Sequence, residues 1–71
     1  NQLQEWAQVK FGQLPKYVND RIGGPDHAPE YLSRVFIEAQ LCGEGKACGK
    51  KEAEKRAAEN ALARLKKQGL I

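Results

Sequence analysis

What most constrains this chain is its C-terminal third. After Gly49 breaks the preceding segment, alanine-rich helical sequence runs unbroken to about Lys67. Ala53, Ala57, Ala61, Leu62 and Leu65 recur at three- and four-residue spacing, which places them on one side of a helix. Small side chains there let a helix come close to whatever it covers. A β-sheet offers the flat, continuous surface such an approach needs. Lys51, Lys55, Arg56, Arg64 and Lys66 fall on the other sides and can stay in water.

The remaining sequence must supply that sheet. With 71 residues, 41% of them hydrophobic, the chain can build a single small core, near the lower size limit for folding without staples. Gln2–Phe11 reads as a first helix, with Leu3, Trp6, Ala7 and Phe11 as its apolar stripe and Gln4, Glu5 and Gln8 on other faces. Gly12 is its C-cap. Residues 16–22 read as a strand with Val18 and Ile22 directed inward, and residues 23–29, dense in Gly and Pro, as a loop. Residues 31–41 read as a second strand, with Val35, Ile37, Ala39 and Leu41 on one face. Cys42-Gly43-Glu44-Gly45 offers a hairpin turn, leaving Lys46-Ala47-Cys48 as a short third strand. The expected fold is α+β in the order α-β-β-β-α, a three-stranded antiparallel sheet with two helices packed on one face. It forms one domain over residues 1–71. The chain begins Asn1-Gln2-Leu3 and contains no Met, so it reads as a fragment of a longer protein.

Charge is unevenly spread. Residues 1–49 carry five Lys/Arg against six Asp/Glu, whereas residues 50–71 carry seven against three. Lys50 and Lys51 stand at the first turn of the last helix, where the macrodipole opposes a cation and the free backbone N–H groups favour an anion. Two lysines there cost stability unless an anion arrives, and a phosphate backbone is the obvious candidate.

The element order and three sequence words together resemble the double-stranded RNA-binding domain. Gly24-Pro25-Asp26-His27 resembles that family's Gly-Pro-x-His element between its first two strands. Gly49-Lys50-Lys51-Glu52-Ala53 resembles its Ser-Lys-Lys-x-Ala helix start, with Gly where Ser is usual. Leu3-Gln4-Glu5-Trp6-Ala7-Gln8, followed by Leu14-Pro15-x-Tyr17, is similar to the opening of the domain that ends bacterial-type ribonuclease III. The resemblance runs from Asn1 to about Leu65. It implies that Gln4, Glu5 and Gln8 enter one minor groove of A-form RNA, that Pro25, Asp26 and His27 reach the next, and that Lys50, Lys51 and Lys55 meet phosphates across the major groove between them. Such phosphate contacts position a duplex without reading its sequence. Arg56 and Lys46 are auxiliaries. Ala47 stands where many members have Gly, and Glu54 where many have a third Lys, which Lys55 replaces only in part. Residues 28–34 read as several residues longer than is usual, and the hairpin after them as shorter.

Other chemistries find no support. The nine acidic residues are scattered and do not assemble a two-metal nuclease centre. One His and two Cys do not make a zinc site, and Cys42 and Cys48 are expected as reduced thiols. Gly43-Glu44-Gly45-Lys46 lacks the spacing of a phosphate loop. No apolar run approaches a membrane span, and nothing resembles a signal peptide. The resemblance implies a non-catalytic module that binds double-stranded RNA independently of sequence, with no small-molecule substrate, cofactor or metal of its own. Its parent would be an intracellular, cytoplasmic ribonuclease III-like endonuclease, homodimeric through another domain, with catalytic Mg²⁺ held upstream. The competing reading is a protein-interaction or dimerisation copy of the fold that has lost RNA binding.

Overall fold

The computed structural model describes residues 2–71; Asn1 lies outside them. The elements follow in the order α1 (Gln2–Phe11), β1 (Lys16–Gly23), β2 (Glu30–Ile37), β3 (Gln40–Ala47) and α2 (Lys50–Lys67). The strands form one antiparallel sheet in the order β1-β2-β3, and both helices cover the same face. Leu3 and Ala7 of α1, Val35 and Ile37 of β2, and Ala57, Ala61 and Leu65 of α2 make up the core cluster. Each wholly buried larger aliphatic side chain there contributes about 1.5–3 kcal/mol. Helix α1 ends at Gly12, whose N–H donates to the Gln8 carbonyl at 2.9 Å.

The glycines at 43 and 45 lie inside β3, not in a turn. A Cβ on Gly43 would stand 2.6 Å from the Ala61 nitrogen, and one on Gly45 would stand 2.5 Å from the Ala57 nitrogen. These residues are bare because the α2 backbone presses on them. Alanines on the helix and glycines on the strand are two halves of one close contact. The expected hairpin at residues 42–45 is therefore displaced toward the N-terminus. Ile37 pairs with Gln40, so the turn is Glu38-Ala39, with φ of +53° and +63°, the conformation of a two-residue I′ hairpin. Ala39 and Leu41 consequently leave the second strand, and β3 runs from Gln40 in place of the short 46–48 segment. Strand β2 starts at Glu30, so residues 28 and 29 belong to the loop and residues 30–34 to the strand. Cys42 is the extra residue between the Val35–Gly43 and Phe36–Leu41 pairs, a β-bulge.

The inward direction expected of Val18 and Ile22 is also reversed. Register pairs Tyr17 with Val35 and Asn19 with Ser33, so the polar alternates of β1 lie under the helices. Val18 and Ile22 are 39% and 44% exposed. The open face carries Val18 and Phe36 beside an ion-pair ladder. There Arg34 stands 3.4 Å from the Asp20 carboxylate and 3.8 Å from that of Glu44.

Candidate nucleic-acid interface

Burial of Leu3 and Ala7 fixes the rotation of α1. Gln4, Glu5 and Gln8 are thereby turned outward, and all three are exposed. Trp6 anchors the helix from the side, its indole N–H donating to the Leu70 carbonyl at 3.2 Å. Its ring meets Phe11 edge-on at 5.6 Å.

Residues 24–29 connect β1 to β2. Gly24 has φ +83°, and a side chain there would collide with the Ala28 carbonyl oxygen. The Ala28 N–H donates to the Pro25 carbonyl at 3.0 Å, closing a turn. The exposed residues Pro25, Asp26 and His27 form its tip. Arg21, which sequence reasoning passed over, reaches into this loop: its Nη2 donates to the Gly24 carbonyl at 3.2 Å and stands 3.4 Å from the Asp26 carboxylate. Only the folded loop reveals that proximity.

Gly49 is extended (φ −126°, ψ 151°) and caps α2 with no side-chain hydrogen bond. The first helical bond runs from the Ala53 N–H to the Gly49 carbonyl, which leaves the amides of the first turn without a side-chain cap. Lys50, Lys51 and Lys55 are exposed on the first two turns. The Lys50 ammonium lies 5.7 Å from the Tyr31 ring centroid, a cation–π contact that the sequence could not foretell.

The other charged residues near this end of α2 brace it. Asn19 Nδ2 donates to Glu54 Oε2 at 2.7 Å, so the residue in place of a third lysine is turned toward β1. Burial, and secondarily the Glu54 carboxylate, push the Tyr17 phenol above its ordinary pKa. Arg56 donates to the Lys46 carbonyl at 2.7 Å and stands 3.8 Å from Glu52. It ties α2 to β3 while its side chain stays more than half exposed. By register Lys46 pairs with Leu32, and it lines the surface that Gly49, Glu52 and Arg56 of the α2 start also line. The loop base and the α2 start share one concave surface lined by Ala28, Pro29, Cys48 and Gly49, whereas α1 packs near Ala61 and Leu65. The three expected patches are thus strung along α2 in a molecule of 40 × 21 × 19 Å. Among the described residues, no three His, Cys, Asp or Glu side chains group to hold a metal ion. No helix among them is long and apolar enough to cross a membrane.

Residues 1–65 match the family described as the double-stranded RNA binding motif. The chain belongs to that family. Within it, the chain is 50% identical over 72 residues to Ribonuclease 3 1 of Nostoc sp., a match that covers all of this chain and 32% of that protein. It is 40% identical over 63 residues to Ribonuclease 3 of Dinoroseobacter shibae, covering 89% of this chain and 28% of the relative. The chain therefore spans about a third of these relatives' lengths. Among solved structures, it superposes on the two double-stranded RNA-binding domains of DRB4 with their linker at a TM-score of 0.73 and 38% identity, covering 94% of this chain and 43% of that one. The second of those domains alone gives a TM-score of 0.67 at the same identity, covering 93% of this chain and 92% of that one. The α-β-β-β-α order and the three-stranded antiparallel sheet are those of the double-stranded RNA-binding fold.

Proposed function

We propose that this domain holds A-form RNA by its shape, with little sequence preference, as the substrate-binding module of a ribonuclease III-like endonuclease. The observation that carries the reading is the set of three exposed lysines on the first two turns of α2, beside amides that no side chain caps. Lys50, Lys51 and Lys55 would meet phosphates on both sides of the major groove. Gln4, Glu5 and Gln8 present amide and carboxylate groups suited to 2′-hydroxyls and base edges in one minor groove, and His27 would enter the next from the loop. Hydrolysis, with its Mg²⁺, would belong to another domain of a cytoplasmic, homodimeric parent.

A titration of this chain against an RNA duplex of about 20 base pairs, the matching DNA duplex and single-stranded RNA, at two salt concentrations, tests the proposal. Selective, salt-sensitive binding to the RNA duplex supports it. Equal affinity for the two duplexes favours a general duplex binder. The second reading, a protein-docking copy of the fold, draws on the exposed Leu14 and Val18, which line one shallow surface with Phe36. It requires concentration-dependent association, so an ideal monomer in sedimentation at high concentration counts against it.

A further inference from the structure

We propose that Arg21 is the positioning residue of the loop at 24–29, and that Asp26 is its counter-ion rather than a direct RNA contact. This rests on the RNA-binding reading above and assigns a role to a residue that reading does not use.

Arg21 pairs with Tyr31 at the last regular position of β1, just before the register shift between Arg21 and Gly23. Beyond it, residues 24–29 lack ladder hydrogen bonds. A single guanidinium nitrogen, Nη2, reaches both ends of the ascending half of the loop, at 3.2 Å from the Gly24 carbonyl and 3.4 Å from Asp26 Oδ1. The partners lie three and five residues away in sequence, so closing these contacts restricts little chain. Among the described residues, the other internal fastenings are the Ala28-to-Pro25 hydrogen bond and the tight approach at Gly24.

Electrostatics point the same way. The Asp26 side chain is fully exposed, next to the histidine that would enter the groove. A bare carboxylate there repels phosphates, and the Arg21 charge offsets it. An exposed ion pair adds little to global stability. Its leverage here is on the fraction of loops already shaped for the groove, and apparent affinity falls in proportion to that fraction.

The test uses the whole chain with Arg21→Ala, Asp26→Ala and the double variant. Affinity for a duplex RNA of about 20 base pairs is measured at several salt concentrations, and backbone ¹⁵N relaxation of residues 24 and 26–28 is measured without RNA. Each single variant is expected to weaken binding about three- to tenfold. The double variant should be no weaker than the worse single, the salt slope unchanged, and the loop amides more mobile in all three variants. Tighter or unchanged binding by Asp26→Ala would overturn the proposal. So would additive losses, unchanged relaxation, or a salt slope lowered by about one unit in Arg21→Ala, the mark of a direct phosphate contact. Failure of the wild-type chain to bind the duplex overturns the RNA reading itself, before any variant is compared.

Discussion

At Gly43 and Gly45 the reason for the residue lies above it, in the backbone of α2 at 2.6 and 2.5 Å from an added Cβ. Gly49, by contrast, has open space around its Cβ direction and a φ that any residue adopts. Gly43→Ala or Gly45→Ala should therefore destabilise the domain by about 3 kcal/mol through forced separation of helix and sheet. Gly49→Ser should stabilise it by about 0.3 kcal/mol by restoring a cap. Urea unfolding of the three variants checks both signs. Tyr17 makes a different kind of prediction. Its raised pKa means that the unfolded chain releases the phenolic proton first, so this stabilisation is complete below the ordinary tyrosine value of about 10 and is lost as pH climbs through the folded value. Tyr17→Phe should flatten the alkaline fall in stability, as read from denaturation midpoints between neutral pH and about pH 11.

Among the elements, the β2–β3 hairpin holds two non-glycine residues, Glu38 and Ala39, at positive φ. That conformation favours Asn-Gly, so Glu38→Asn with Ala39→Gly should raise stability by about 1 kcal/mol in the same unfolding assay. This hairpin also shows where sequence reading stops. The helices were legible because alanines and leucines at helical spacing have only one side to bury, and both matched their expected bounds. The turn was not, because glycines signal either a bend or a close neighbour, and only the seated helix distinguishes them. The facing of β1 was hidden for a related reason. Alternation defines two faces but not which is covered, and pairing with β2 chose the face bearing Tyr17 and Asn19. Asn19 then holds Glu54 across to α2, while its Oδ1 and the Ser33 Oγ opposite it are buried without hydrogen-bond partners among the described residues. The seat of the lysine-bearing helix is thus partly polar, which no hydrophobic pattern announces.

For the molecule as a whole, the proposed function divides recognition among three patches strung along one helix. Lys50→Ala with Lys51→Ala should weaken duplex binding uniformly across sequences and reduce the salt slope by about two units. Binding isotherms on two unrelated duplexes over a salt series measure both quantities, and an unchanged slope would remove the lysines from the phosphate contacts. The candidate site was legible where a word such as Gly-Pro-x-His or Lys-Lys-x-Ala carries it. The Arg21 contact, the Tyr31 ring beneath Lys50 and the bracing role of Arg56 were not, because each joins residues that only folding brings together. The seam between the strand glycines and the helix alanines has a consequence for how such a domain can evolve. Nothing is smaller than glycine, and trading an alanine for glycine weakens the helix, so a mutation on either side finds no compensating change on the other. In a mutagenesis library selected for new ligands, the seam should stay invariant while the loop tip and the lysines diversify freely, and ligand preference can drift without disturbing the fold.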